Sequence, residues 1–175
     1  MADYTDLLVN GDNPGGTKQV IYFAPLSTFE TLQVAGGLEA ADLADVAVIS
    51  TDHVFKTGGR FYKMELEMNK NEFNSEFQGA VRGNHDKLSF TGLVPGFTAA
   101  QQGLLRKARS EKQIVLIPLS DGTLVQLGEK DNGAMFQENT GTGTQEGGER
   151  GSTVTITAYH YKNIYTGSVS FTAAV

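Results

Sequence analysis

Hydrophobic and polar residues alternate with a period of two along residues 59–94. In RFYKMELEM the first set is Tyr62, Met64, Leu66 and Met68, and the second is Phe61, Lys63, Glu65 and Glu67. In NEFNSEFQGAV, Phe73, Phe77 and Val81 alternate with Asn74, Glu76 and Gln78, and KLSFTGLV aligns Leu88, Phe90 and Val94. This period is typical of β-strands with one buried face. It predicts two or three long antiparallel strands in one sheet with an acidic, amide-rich outer face.

Further strands are predicted on both sides of this stretch. TKQVIYFAP (17–25) is rich in β-branched and aromatic residues and stops at Pro25. QIVLIPL (113–119) is continuously apolar, and Asp121-Gly122 is a hairpin signal before TLVQLG. MFQEN is compatible with a short strand, and STVTITAYHYKN with TGSVSFTAAV predicts a terminal hairpin. Within residues 26–52, LSTFETLQV fits a short helix or a strand, and LEAADLADVAVIS has a weak helical pattern that runs into a strand-like VAVI segment, so neither element is assigned.

One helix is predicted after Pro95-Gly96. Thr98 and Gln101 have the spacing of a capping box, in which each side chain satisfies a free amide of the first turn. Ala100, Leu104, Leu105 and Ala108 then form an apolar stripe at helical spacing. Arg106, Lys107, Arg109 and Lys112 lie at or beyond its C-terminal end, where cations complement the helix dipole.

Composition places these elements in one domain. A chain of 175 residues with 21 glycines suits a single β-rich domain over 1–175 with many turns. Residues 1–16 end in NGDNPGG and predict an N-terminal arm. Residues 139–152 lack apolar side chains and predict a flexible loop.

Charge and cysteine content exclude several classes of function. A net charge of −6 argues against electrostatic nucleic-acid binding, which needs clustered Lys and Arg. With no cysteine, disulfides, Cys-based zinc sites and thiol catalysis are excluded. The acidic start resembles no signal peptide, and no apolar run reaches the ~20 residues of a membrane span. These features predict a protein without membrane association that is made in the cytoplasm.

Catalytic motifs are not found. His53, His85 and His160 are far apart in sequence and lack metal-site spacing, and His85-Asp86 is best interpreted as a solvated turn pair. No GxSxG motif is present, and NTGTGTQEGGERG lacks the GK[ST] of a phosphate-binding loop. Glu65, Glu67, Glu72 and Glu76 include the two carboxyls that glycoside hydrolysis needs, yet a solvated sheet face explains them better. We therefore predict a protein that is not an enzyme and has no cofactor or metal.

The order of elements resembles a family of viral structural proteins. VIYFAP is followed by HVFKTGGRFYKMELEMNKNEF, then SEFQGAVRGNHDKLSFTGLVPG, a helix, IVLIP and DGTLVQLG. This order, from Phe23 to about Gly128, resembles tail tube and related virion proteins of tailed bacteriophages, especially phages of Bacteroidetes. The resemblance implies a mainly β fold: a β-sandwich or barrel with one flanking α-helix and a long β-hairpin.

The resemblance also implies a function. Tail tube subunits form hexameric rings that stack with other tail proteins, and DNA passes through the lumen without specific binding. The implied location is the virion tail, after assembly in the host cytoplasm. Glu65, Glu67, Glu76 and Gln78 are the candidate lumen-facing residues, because an acidic, amide-rich face would repel phosphate. Sealing strand edges between subunits would also remove an aggregation hazard.

Two other interpretations remain open. The first is a head-to-tail connector, a capsid decoration protein or a secretion-tube protein, each of which has a similar fold. A carbohydrate- or ligand-binding β-sandwich would use exposed aromatic residues, for which Tyr159, Tyr161 and Tyr165 are the candidates. Electron microscopy of the concentrated protein tests the ligand-binding alternative, since a tail tube protein should give rings or tubes and a binding module should stay monomeric.

Overall fold

The computed structural model describes residues 14–79, 84–143 and 150–175, and this part of the chain is mostly β. Its twelve strands are β1 (Val20–Pro25), β2 (Phe29–Thr31), β3 (Val48–Ile49), β4 (Val54–Phe55), β5 (Tyr62–Glu65), β6 (Glu72–Gln78), β7 (His85–Pro95), β8 (Gln113–Pro118), β9 (Leu124–Leu127), β10 (Met135–Gly141), β11 (Gly151–Tyr159) and β12 (Asn163–Tyr165). Two α-helices are α1 (Leu43–Val46) and α2 (Ala99–Ser110), and two single 3-10 turns lie at Leu26–Thr28 and Gly37–Glu39. The predicted mainly β fold is confirmed.

The strands form three sheets. A six-stranded sheet has the order β3-β12-β9-β8-β1-β5, in which only the β12–β3 pair is parallel. A four-stranded antiparallel sheet has the order β10-β11-β7-β6, and β2 with β4 makes a small third sheet. The predicted strands at 17–25 and 113–119 are β1 and β8, and the turn at Asp121-Gly122 joins β8 to β9 as predicted.

The main core lies between the two large sheets. Alternate residues of the six-stranded sheet, such as Ile21, Val115 and Leu127, pack with Phe90 and Ile156 of the four-stranded sheet. The opposite face of the six-stranded sheet is also covered, by a second apolar cluster that includes Phe29, Phe61, Ile114 and Tyr165. Since this sheet is buried on both faces, β8 is apolar from Ile114 onward, and all six of its residues, including the polar Gln113, are buried.

Helix α2 begins as the sequence predicts. The Thr98 hydroxyl accepts a hydrogen bond from the Gln101 amide at 3.2 Å, and the Gln101 side chain accepts from the Thr98 amide at 2.9 Å. The helix buries Leu105 and Ala108, whereas Leu104 of the expected stripe is exposed. An ion pair of 3.1 Å between Arg109 and Glu138 fastens α2 to β10.

The stretch 59–94 does not form one sheet, so that prediction is wrong. Strand β5 pairs with β1 in the six-stranded sheet, whereas β6 and β7 pair in the four-stranded sheet. The chain changes sheets within one peptide: the Leu66 amide bonds to Gln19 O, and the Glu67 amide bonds to Leu93 O. Asn69, at a φ of 57°, then turns the chain into β6, since Asn tolerates this left-handed conformation.

The predicted buried face of this stretch is also partly wrong. Met64, Leu66, Leu88, Phe90 and Val94 are buried as expected. Tyr62, Met68 and Phe77 are exposed, and Phe61, expected on the wet face, is buried in the second cluster. Phe61 is buried because the second cluster covers the outer face of the six-stranded sheet, whereas Tyr62 and Phe77 lie on β5 and β6, the last strands of their sheets. Val81 lies outside the described residues.

Two predictions about the C-terminal third need correction. The terminal hairpin does not form, because β11 pairs with β10 and β7, and residues 166–175 contain no strand. The alternation there instead reflects Val169 and Phe171, which pack against the second cluster. The predicted loop 139–152 is too wide, since Asn139–Gly141 pair with Gly151–Thr153. Its centre, 144–149, and residues 1–13 of the predicted arm lie outside the described residues.

Candidate functional site

The outer face of the four-stranded sheet is a broad polar surface. Burial alternates along β7 and β11, so that every second residue points away from the core. With the strand register, this gives one surface, here called the polar face: Glu72, Asn74, Glu76 and Gln78 on β6; His85, Lys87, Ser89, Thr91 and Leu93 on β7; Thr153, Thr155, Thr157 and Tyr159 on β11; Met135, Gln137 and Asn139 on β10.

The polar face is nearly free of charge at its centre. The row Thr153, Thr155 and Thr157 lies beside Thr91 and Ser89 of β7. Charged side chains are confined to the β6 side, where Glu76 is directly opposite Lys87 and Glu72 is opposite Thr91. The polar face therefore offers hydroxyl and amide groups, with a small excess of negative charge along one edge.

Both edges of this sheet lack a further strand within the described residues, because β6 and β10 each pair on one side only, although α2 lies beside β10. Edge strands present unpaired N–H and C=O groups to which another strand can bond. Phe77, on β6, is 67% exposed although it is a large aromatic residue. An open edge with an exposed aromatic side chain favours contact with another protein surface.

The structure does not bring the four predicted lumen residues onto one surface. Glu76 and Gln78 belong to the polar face, opposite Lys87 and His85. Glu65 lies on β5 opposite Val20, in the other large sheet. Glu67 follows β5 at the point where the chain changes sheets. Only Glu76 and Gln78 are therefore candidates for a common surface with the threonine rows.

A groove lies at the end of the molecule where β7 begins. Its volume is about 610 Å³. One side is apolar and is lined by Leu32, Val34, Leu38, Val46 and Ile49. The other side is polar and is lined by Asn84, Asp86, Gln126, Glu129, Tyr161 and Lys162. Val34 is 69% exposed and Leu38 is 73% exposed, so the apolar side is open to solvent.

A buried hydrogen-bond network supports the floor of this groove. The Gln33 amide donates to His53 Nδ1 at 3.1 Å, and His53 Nε2 lies 2.8 Å from Gln126 Oε1. Gln126 Nε2 donates to Gly128 O at 3.0 Å, and the Gly128 amide donates to His160 Nε2 at 2.7 Å. The network joins the segment after β2 to β9 and to the end of β11.

The network fixes the tautomer of each histidine. His53 Nδ1 accepts a hydrogen bond, so its proton lies on Nε2 and points to Gln126. His160 Nε2 accepts from Gly128, so its proton lies on Nδ1, 2.6 Å from Tyr161 O. In this tautomer His160 is uncharged, so it does not neutralise the Glu129 carboxylate 3.3 Å away.

Burial lowers the pKa of His53 below 6.5, against the opposing effects of the Gln126 hydrogen bond and the Asp52 charge. The ring is stacked on Tyr165 with centroids 4.6 Å apart and meets the edge of Phe29 at 5.6 Å. Burial also raises the pKa of the Tyr165 hydroxyl above 10. These surroundings disfavour a charged imidazole, because apolar neighbours do not replace its hydration.

Sequence reasoning did not find this network. His53 and His160 are separated by 107 positions and share no motif, and their connection through Gln126 depends on the fold. Asp86, expected in a solvated pair with His85, instead accepts from the Lys162 amide at 3.2 Å. Among the described residues no group of three or more His, Asp or Glu could hold a metal ion.

The three candidate ligand-binding tyrosines occupy different environments. Tyr159 ends the β11 row of the polar face, Tyr161 lines the groove, and Tyr165 is buried in the second cluster. The Tyr161 hydroxyl donates to Asn84 O at 2.8 Å, which fixes the rim of the groove. They do not form a shared aromatic platform.

No helix in residues 14–79, 84–143 or 150–175 is long and apolar enough to cross a membrane. Comparisons with protein-family models, with curated proteins and with solved structures give no match. We therefore infer a function from the polar face, the edges of its sheet and the groove.

Proposed function

We propose that the protein is a tail tube subunit of a tailed bacteriophage, whose four-stranded sheets join side by side around a lumen. The observation that carries this proposal is the polar face between two open edges. A β-sandwich with one buried and one polar face on this sheet can extend a barrel from copy to copy. The resemblance of Phe23–Gly128 to such subunits supports the same function.

Joining the sheets satisfies the groups that the edges leave free. Strand β6 of one copy would pair with β10 of its neighbour, so that the ring has no free edge. The aromatic ring of Phe77, open in the single subunit, would be covered at this junction. Six subunits with four strands each would give a barrel roughly 35–50 Å across its backbone, which leaves a wide lumen.

In this arrangement the polar face lines the lumen, with Glu76 and Gln78 among its residues and Glu65 outside it. The wall would then be mainly threonine, serine and amide groups, with few charges. Such a surface lacks the cation clusters that hold phosphates, so DNA could slide past it. Easy passage thus depends more on the absence of Lys and Arg than on strong repulsion by acids.

Electron microscopy and sedimentation of the concentrated protein test the proposal. The wild type should give rings or tubes. Phe77→Lys should remain a monomer, because a charge at the edge strand opposes strand pairing. Phe77 is exposed, so its replacement should leave the circular dichroism spectrum and the melting temperature unchanged.

Val54→Lys is the matched control, since Val54 is also an exposed apolar residue on a strand but lies in the small third sheet. It should assemble like the wild type. A wild-type protein that stays monomeric at every concentration would contradict the proposal and would favour a ligand-binding module.

A further inference from the structure

The two ends of strand β7 carry surfaces of complementary chemistry. The groove lies at its beginning, with Asn84 and Asp86 on the rim. At its other end, Pro95 is followed by Gly96 and then by Phe97, a residue that is 43% exposed. The guanidinium of Arg150 lies 5.2 Å from the centre of that ring and donates to Phe97 O at 3.2 Å.

Phe97 and Arg150 therefore form an aromatic and cationic projection, here called the Phe97–Arg150 pair. Backbone contacts on both sides of Phe97 fix the position of this pair. The Gly96 amide donates to Arg150 O at 3.0 Å, and the capping box of α2 begins at Thr98. In the other direction, β7 runs for 11 residues to the groove, about 34 Å away.

We propose that the Phe97–Arg150 pair of one copy docks in the groove of a second copy, head to tail. The apolar side of the groove, with Val34 and Leu38 exposed, would receive the ring of Phe97. Asp86 and Glu129 would face Arg150, and with the cation Lys162 the rim still has an excess of one negative charge. The aromatic side chain and the charge each have a complement in the groove.

This contact rests on the proposed tube and explains how rings stack in it. Barrel strands run at about 35–45° to the barrel axis, so the two ends of β7 face neighbouring rings. A contact between two different surfaces repeats without closing on itself, and such contacts build open filaments. One groove is a small interface, so a single contact should be weak, and a ring would make several at once.

Two variants that block opposite ends test the contact. Phe97→Asp removes the projection, and Val34→Arg fills the groove. Both positions are exposed, so folding should be unchanged. Each variant alone should form single rings but lose the stacked tubes. A one-to-one mixture should form pairs of rings and nothing longer, because each pair retains one intact interface.

Matched controls occupy exposed apolar positions away from the contact. Leu104→Asp on α2 and Val54→Arg in the third sheet should both give tubes of normal length. Tubes of normal length from Phe97→Asp or Val34→Arg would overturn the proposal. A mixture of the two variants that contains only single rings would do so as well.

A measurement on single subunits separates this contact from ring formation. Isotope-labelled Phe97→Asp, with an intact groove, is mixed at about 1 mM with unlabelled Val34→Arg, in the range where weak contacts are detected. Both also carry Phe77→Lys, which should keep the subunits from joining into rings. Amide signals of Asp86, Glu129 and Leu38 should shift. Such shifts, when the wild type forms no rings, would support the contact and reject the tube. Rings without such shifts, or a small molecule that co-purifies in the groove, would reject the contact.

Discussion

At the scale of single residues, His53 is a buried side chain in the hydrogen-bond network that supports the groove. Both ring nitrogens of His53 have hydrogen-bond partners, Gln33 N and Gln126 Oε1. One partner donates and the other accepts, which suits a neutral imidazole. A second proton on Nδ1 would face the Gln33 amide, donor against donor. Protonation therefore costs the hydrogen bond that holds the segment lining the groove.

We predict that stability falls as the pH decreases below about 6.5, the ordinary histidine value. The pKa of His53 is lowered in the folded protein, so the unfolded chain binds this proton first. The stabilising contribution is thus full above pH 6.5 and decreases toward the lowered folded pKa. Urea unfolding followed at pH 7.5 and at pH 5.5 measures this change.

Carboxylates also titrate toward acid pH, so the comparison is made with a variant. His53→Gln should be less stable than the wild type at pH 7.5, and its stability should change less between the two pH values. His85→Gln, at a half-buried position on the polar face, is the matched substitution outside this network. Equal pH dependence in wild type and His53→Gln would contradict the prediction.

At the scale of elements, the end of β9 shows how a backbone position can require glycine. Gly128 has a φ of 101°, and a Cβ placed there would lie 2.6 Å from Gln113 O and 2.9 Å from Ala134 N. These two atoms belong to the bridge between Gln113 and Ala134, whose hydrogen bonds connect β8 to the start of β10. No side chain fits without breaking this connection.

Gly128→Ala should therefore destabilise the protein more than Gly122→Ala, which supplies a matched control. Gly122 has a φ of 96° but nothing within 4 Å of an added Cβ. Gly122→Ala should cost about 1–2 kcal/mol from backbone strain alone. Gly128→Ala adds a backbone collision to this strain. Equal losses in the free energy of unfolding for the two variants would show that the collision is relieved without cost.

At the scale of the whole molecule, the proposed tube places the four-stranded sheet at the lumen and β5 of the six-stranded sheet outside it, although β5 and β6 have similar sequence patterns. The chain contains no cysteine, so single cysteines can be introduced at Thr155 on the polar face and at Glu65 on β5. In assembled tubes, Thr155→Cys should be protected from a maleimide polymer too large to enter the lumen, and Glu65→Cys should react.

Both cysteines should react in the single subunit, because Glu65 is exposed there and Thr155 is only half-buried. Protection of Glu65→Cys with free reaction of Thr155→Cys would assign the lumen to the other sheet.

Sequence patterns predicted the elements whose signals are local. The capping box at Thr98, the apolar run of β8 and the turn at Asp121-Gly122 each depend on a few neighbouring residues. Which sheet each strand joins was not predictable in this way. Alternation in RFYKMELEM and NEFNSEFQ is the same, although β5 is an edge strand of the six-stranded sheet and β6 is an edge strand of the four-stranded sheet.

The candidate site was predictable only in part. Glu76 and Gln78 were identified because alternation alone places them opposite the core. The threonine rows required the pairing of β11 with β7, and the groove required residues from 32 to 163 to meet. Long-range pairing determines both, and a local pattern contains no information about it.

The position of β12 has a consequence for how the subunit is made. It is the last strand of the chain, yet it lies inside the six-stranded sheet, between β9 and β3. During synthesis, β3 therefore waits for residues 163–165 before it can join the sheet. Ile49 and Asn163 also line the groove, so a truncated or nascent chain lacks a complete one. A chain that stops before residue 163 would then be unable to accept the next copy in the proposed stack.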